Sequence, residues 1–490
     1  MRTLLVLLLG IVSIVSSAKI AVFFAPFSNS QVVFNIRFAE ELAKDHEVVL
    51  IRPRINPKSD KLVSTHPKVR EIRTIGCTEE TFRAYQEAQH GWVYGPATFT
   101  VAMNVSKSYR NLFRETCKNM VNDADFIAKL RAEKFDFAFT HHADLCPIGI
   151  IHAAGNPHWG WTLSTPPFTT VLFKNFFMEV SFEILFGTFA TSAHTQSMRD
   201  ALGEDFPHLR DLMEKASLMV VNSHADIEFP VPVTSKVVFI GGLAQKTEVK
   251  PLQEPFKFFI GNASKVVLVS FGTVAESSTM PQHWKDSFVE LFRQNPSINF
   301  IWKMDSEVEV PSNVMRVKWQ PQNDILANEK TVAFITHAGY NSIGEAIGSG
   351  TPLVTIPLFG DQHRNSQLTM FRHLGVRVDK DKIAFETLNE ALHKLIDDPS
   401  YLASAKELLQ IQNSSPLSPG MVLRSAVNFT LNHPNFDREL PRLPMYQLYS
   451  LDCMALIISI VFVVLYIVYR VMKLAFHCCR LVVRRKEKVQ

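Results

Sequence analysis

Charge of one sign is scarce in this chain. Charged residues make up 20% of its 490 residues and the net charge is only +4. No basic stripe is present for a phosphate backbone, so nucleic acid is excluded as a partner. The small positive excess collects in the tail beyond Tyr469 and says nothing about the body. Cysteine is sparse as well, with six residues. Only Cys77, Cys117 and Cys146 precede the C-terminal apolar segment, an odd number that allows at most one intramolecular disulfide among them. No Asp-x-Asp pair stands out as a metal site, and metal-independent chemistry is inferred.

What the chain does have is two apolar ends. Residues 1–18 carry Arg2, an apolar run and the small residues Ser16 and Ala18, which reads as a cleaved signal peptide. Residues 453–469 contain no charge and lie between Asp452 and Arg470, at the short end for a membrane span. Arg470, Lys473, Arg480, Arg484, Arg485, Lys486 and Lys488 follow. The positive-inside rule places this tail in the cytosol and the body on the other side, as a single-pass protein. Cys478 and Cys479 are candidates for acylation. Asn104, Asn262 and Asn428 stand in N-x-S/T sequons, with Asn413 a poorer one because Pro416 follows its serine.

Between the ends the length calls for at least two domains. Residues 19–24 read as a strand and 31–44 as a helix with Phe34, Phe38, Ala39 and Leu42 on one face. A second strand covers 47–51, a buried one 135–140, and another 216–223. Strand–helix–strand units imply parallel pairing, hence an α/β domain over 19–243. Residues 244–255, with scattered Lys, Glu and Pro, read as a linker. A second domain, 256–450, opens with strand 266–270 and the turn Phe271-Gly272-Thr273; residues 299–303 form its next strand. The membrane helix is assigned to 451–472 and the basic tail to 473–490. Residues 166–189 are crowded with Phe168, Phe173, Phe176, Phe177, Phe182, Phe186 and Phe189. Both an apolar acceptor pocket or membrane-leaning surface and a Phe-rich core helix fit that crowding.

The most informative stretch is 319–362. Thr331–Thr336 is a β-branched strand, His337-Ala338-Gly339 a turn, and Asn341 or Ser342 a good N-cap for a short helix burying Ile343, Ala346 and Ile347. Gly348, Gly350 and Pro352 end that helix and 353–356 is a second strand. The N–H groups of Gly339 to Ser342 lie at the positive end of the helix dipole, a place for a phosphate. His337 and Asn341 add donors, and Glu345 can accept from a ribose diol. Trp319 offers a flat face for a base, and Pro321 brings the Gln322 amide near. Asp361 and Gln362 follow a strand and suit sugar hydroxyls. Gly272 and Thr273 form another glycine turn after a strand, where backbone can approach a phosphate.

This ordered set resembles, position by position, the signature of the UDP-glycosyltransferases, the family of the UDP-glucuronosyltransferases. The resemblance implies a GT-B fold: two Rossmann-like domains across a cleft, acceptor domain first and donor domain second. It implies that Trp319 stacks on uracil, that Gln322 bonds it, and that Glu345 holds the ribose. His337 and Asn341 would hold the diphosphate, Asp361 and Gln362 the sugar. Gly272 and Thr273 resemble the family's serine–glycine–serine turn. UDP-sugar is then a co-substrate, no cofactor is expected, and the second partner is a small lipophilic acceptor, with inversion at the anomeric carbon. The implied location is the endoplasmic-reticulum membrane, since Lys486 and Lys488 match a dilysine retrieval signal. Homo- or hetero-oligomers with family members belong to the same expectation.

One part departs from the pattern. The family's base is a histidine in a serine–histidine pair at the start of the first helix. Aligned on Ala39-Glu40-Glu41-Leu42, the pair here is Ser30-Gln31, and glutamine cannot take a proton at neutral pH. The family's partner carboxylate falls on His141, with Asp144 following. Three readings stand. His141 or His142 acts as base, oriented by Gln31 or Asp144; the acceptors need little base help; or the chain binds UDP-sugar without turnover, as a subunit beside an active homologue.

Overall fold

The computed structural model describes residues 17–487 except 97, 143, 157, 166–188, 231–232, 244–248, 274 and 435–450. The signal peptide through residue 16, most of the phenylalanine-rich stretch, part of the linker and Lys488 therefore lie outside the described residues.

Thirteen strands form two parallel sheets among the described residues. The first has the order β3-β2-β1-β4-β5-β6-β7. Its strands are β1 (Lys19–Phe23), β2 (Glu47–Pro53), β3 (Val69–Thr74), β4 (Phe137–His141), β5 (Trp159–Leu163), β6 (Leu218–Val221) and β7 (Val237–Phe239). The second has the order β10-β9-β8-β11-β12-β13. It comprises β8 (Lys265–Ser270), β9 (Ile298–Lys303), β10 (Val314–Val317), β11 (Thr331–Thr336), β12 (Leu353–Thr355) and β13 (Gly375–Arg377). The central strands are near-continuous apolar runs because helices cover both faces of a parallel sheet. Ile20, Ala21 and Val22 of β1 and Val266 to Val269 of β8 are fully buried.

In each sheet the strand order reverses once, between β1 and β4 and between β8 and β11. Crevices outside the carboxyl ends of strands at such a point are where open α/β sheets bind ligands. Gln31 and His141 belong to the first switch point; Gly272 and His337 belong to the second.

Although it follows the second sheet in sequence, helix Pro419–Asn432 packs on the first. Its Leu423 and Val427 share a core with Ile20, Phe38 and Val48. Arg424 lies 3.4 Å from Glu41 and 3.7 Å from Asp45. A Cβ on Gly420 would come within 2.1 Å of the Glu41 carboxylate, so a larger residue there would have to displace that side chain. Among the described residues one disulfide, Cys117–Cys146, joins helices Phe99–Asn122 and Cys146–Ala153. Cys77 is a free thiol.

The C-terminal unit contains helix Leu451–Glu487. Its segment Leu451–Ala475 holds an 18-residue window with a mean hydropathy of 2.8. At 1.5 Å per residue that segment is about 37 Å long, enough for a hydrocarbon core of about 30 Å. Its longest uncharged part is the run between Asp452 and Arg470.

Candidate functional site: a nucleotide cradle at the second switch point

β11 ends at Thr336, and the chain turns through Ala338, whose φ is +63°. That turn starts helix Tyr340–Ser349 earlier than the sequence suggests. Gly339, not Asn341 or Ser342, is the N-cap, and no side chain caps the helix. Asn341 and Ser342 sit in the first turn instead. The first-turn N–H groups are thus left for a ligand at the positive end of the dipole.

His337 is clasped between two backbone turns. A Cβ on Gly272 would lie 2.7 Å from its Cε1, and one on Gly339 2.6 Å from its Nε2. Both glycines are required for the imidazole to sit there, and Gly272 also needs its φ of +74°. Burial, with Lys303 as a lesser cause, lowers the His337 pKa to about 4. The ring is neutral at pH 7 and offers one N–H. Lys303, at the end of β9, donates from Nζ to the Gly272 carbonyl at 2.7 Å. Sequence reasoning missed this lysine; its place at the carboxyl end of a strand was the available signal. Thr273 completes the turn beside Gly272.

The two residues expected at base and ribose, Gln322 and Glu345, are joined to each other. Gln322 opens the short helix Gln322–Leu326, and its Nε2 donates to the Glu345 carboxylate and reaches Ser342 Oγ at 3.5 Å. Trp319 is 70% exposed, a flat aromatic surface open for stacking. Asp361 precedes helix Gln362–Phe371, and its carboxylate accepts from Asn365 Nδ2 at 2.7 Å. Burial raises the Asp361 pKa. Gln362 is buried, and its Oε1 accepts from the N–H groups of Leu358 at 2.9 Å and Phe359 at 3.1 Å. Its oxygen braces the loop after β12, which leaves only its NH₂ for a sugar.

The acceptor side is different. Gln31 lies in the first turn of helix Asn29–Leu42, its backbone N–H capped by Ser28 Oγ at 3.4 Å. His141 closes β4 and is buried, and its Nε2 is 3.0 Å from Ser164 Oγ. Asp144 accepts on Oδ1 from the Cys146 N–H at 3.1 Å, and burial pushes its carboxyl up to about 7. The expected hydrogen bond from His141 to Gln31 or Asp144 is not made among the described residues. The reason is local. Asp144 is drawn to the start of helix Cys146–Ala153, which the disulfide holds, while β5 delivers Ser164 to the His141 ring. The His142 ring lies tilted by 41° against His141 at 4.6 Å, and burial lowers its pKa to about 4.

Of the sequon residues, Asn104 and Asn262 are exposed, whereas Asn428 is half-buried. Asn413 is exposed.

Comparison with known proteins gives the family and the fold. The family model described as "UDP-glucoronosyl and UDP-glucosyl transferase" matches residues 19–154 and 167–489. A putative UDP-glucuronosyltransferase of Caenorhabditis elegans, ugt-48, is 28% identical over 87% of this chain and 88% of its own length. UDP-glucosyltransferase 2 of Dactylopius coccus is 28% identical over 68% and 70%. Among solved structures, the glycotransferase of kitacinnamycin superposes with a TM-score of 0.63 at 18% identity, covering 87% of this chain and all of its own (100%). That likeness shows the fold, a GT-B arrangement of two parallel-sheet domains. The chain belongs to the UDP-glucuronosyl and UDP-glucosyl transferase family.

Proposed function

We propose that this protein transfers glucuronate or glucose from a UDP-sugar, with inversion, to small lipophilic acceptors whose reacting atom needs little base assistance, such as amines and acidic phenols. The observation that carries this reading is an asymmetry. The donor cradle from Trp319 to Gln362 is assembled, while Gln31 stands where the family's base would be and makes no hydrogen bond to a histidine among the described residues.

The donor site has what the chemistry needs on the leaving-group side. Uracil stacks on Trp319, and Gln322 and Glu345 hold base and ribose. The uncapped N-terminus of helix Tyr340–Ser349, with Asn341 and neutral His337, stabilises the charge that develops on the departing diphosphate. Asp361 and the Gln362 NH₂ orient the sugar. An amine attacks the anomeric carbon through its lone pair and releases its proton to water afterwards, and an acidic phenol attacks as the phenolate that already forms in water, so the missing base costs little; an aliphatic alcohol lacks either advantage. The same reading places the body in the endoplasmic-reticulum lumen, anchored by the apolar helix. If so, exchanging Lys486 and Lys488 for serine redistributes the full-length protein, and unchanged microscopy refutes retrieval through these lysines.

The test is a donor and acceptor screen of the purified full-length protein by mass spectrometry, pairing UDP-glucuronate and UDP-glucose with an aromatic amine, an acidic phenol and an aliphatic alcohol. Conjugates of the first two acceptors and little of the third are expected. Dominant conjugation of the alcohol refutes the acceptor assignment. Bound UDP-sugar with no conjugate of any acceptor favours the competing reading of a non-catalytic subunit, which the same Gln31 observation supports.

A further inference from the structure

Three contacts join the chain after β6 in the first domain to the second domain, two of them at the start of helix Tyr340–Ser349 and one on helix Gln362–Phe371. Ser223 Oγ is 2.5 Å from Tyr340 Oη, Glu228 pairs with Arg364, and Asn222 meets Asn341. The last contact bears on chemistry. Asn222 is 3% exposed, and its backbone N–H is fixed to the Leu163 carbonyl at 2.8 Å. Its Nδ2 donates to the Ser164 carbonyl at 3.0 Å and to Asn341 Oδ1 at 3.3 Å.

The Ser164 carbonyl can only accept a hydrogen bond, so the atom Asn222 turns toward it is the NH₂. One hydrogen goes to Ser164 and the other points at Asn341. Asn341 must then present its oxygen to Asn222 and turn its own NH₂ away. No protein acceptor meets that NH₂ among the described residues. It belongs to the same first turn as the uncapped N–H groups, where an anion is favoured.

We propose that Asn222 is a positioning residue of the acceptor domain that sets the amide of Asn341 so that its NH₂ faces the donor diphosphate. The inference rests on the donor-site reading given above. Through Ser164, whose hydroxyl meets His141, the same amide ties the ends of β4, β5 and β6 to the phosphate end of the other domain. The diphosphate is thus read by a side chain whose orientation depends on the two domains being in contact. A donor domain alone, or one swung away, leaves the Asn341 amide free to rotate.

The experiment is calorimetric titration of the full-length protein in detergent with UDP and, separately, with uridine. Asn222→Asp replaces the donor by an acceptor, so the Asn341 amide inverts and aims its oxygen at the phosphates. Its UDP affinity falls about tenfold, the loss of one hydrogen bond to a charged ligand. Uridine lacks phosphates, and its affinity stays within about twofold, which also reports an intact fold. Asn222→Ala, which removes the orientation without inverting it, gives a smaller fall in UDP affinity. In Asn341→Ala the Asn222→Asp change has no further effect on UDP, the non-additivity expected of two residues acting as a unit. Equal weakening of UDP and uridine makes Asn222 a merely structural residue and overturns the inference. So does an Asn222→Asp protein with unaltered UDP affinity when Asn341→Ala is weakened. Unaltered UDP affinity in Asn341→Ala instead removes the diphosphate assignment itself, and the inference falls with it.

Discussion

Arg364 grips Glu228 through both guanidinium NH₂ groups, with each side chain 3% exposed. Glu228 also accepts from Ser223 Oγ at 2.7 Å, and the Arg364 guanidinium lies 5.2 Å over the Phe229 ring. A fully paired ion pair of this kind, lodged between two domains, holds their relative placement. Losing one partner leaves an unpaired buried charge, which costs about 3–5 kcal/mol. Urea unfolding of Glu228→Ala should show a loss in that range. The double change Glu228→Leu with Arg364→Met should recover most of it. A single variant as stable as the wild type would mean that the pair is hydrated.

The donor assignment predicts a specific loss. Glu345 already holds the Gln322 amide and, in the proposed donor site, accepts from the ribose diol. Glu345→Ala should weaken UDP binding by about 1–3 kcal/mol through unsatisfied partners. Calorimetry with UDP checks it, and an unchanged affinity removes Glu345 from the ribose site.

Restoring the family's base tests the acceptor reading. Gln31→His together with His141→Asp places an imidazole and a carboxylate at the two positions where relatives of this type carry them. Turnover of an aliphatic alcohol should rise by about 10²–10⁴-fold, the usual worth of general base catalysis, with the amine rate affected far less. Equal rates on both acceptors before and after the change would show that the first switch point does not host the proton transfer.

A pH dependence follows from His337. Its pKa is about 4 in the folded protein against 6.5 for a free side chain. Between pH 6.5 and 4 the unfolded chain binds a proton that the folded one refuses. Stability is therefore fully present above pH 6.5 and declines as pH falls. The slope is at most about 1.4 kcal/mol per pH unit. His337→Gln lacks this titration, so urea unfolding as a function of pH should be shallower in the variant over that window. Parallel curves would place the ring in water.

Much of this protein was legible before any coordinates. The strands β1, β2, β8, β9 and β11 fall within one or two residues of their expected bounds, because fully buried parallel strands are short apolar runs bounded by polar turns. The donor cradle was legible for a related reason: one strand–helix–strand unit carries nearly all of it, so sequence neighbours are neighbours in space. The candidate membrane helix needed only its apolar composition.

Tertiary structure decided whatever depends on distant segments. Gln31, His141 and Ser164 come from three separate strand ends, and only the sheet register brings Ser164 rather than Gln31 to the imidazole. Cys117 was one of three candidates until the packing of its helix placed it against Cys146. The N-cap at Gly339 follows from the left-handed Ala338, a backbone conformation that an alanine in the sequence does not advertise. Helix Pro419–Asn432 carries an apolar face that either sheet could bury, and the Glu41–Arg424 pair with the glycine at its first turn selects the first. Local sequence sets which backbone each segment adopts, since propensity and periodicity act over a few residues. Which side chains then meet across the cleft, Asn222 with Asn341 and Glu228 with Arg364, is decided only when both sheets are in place.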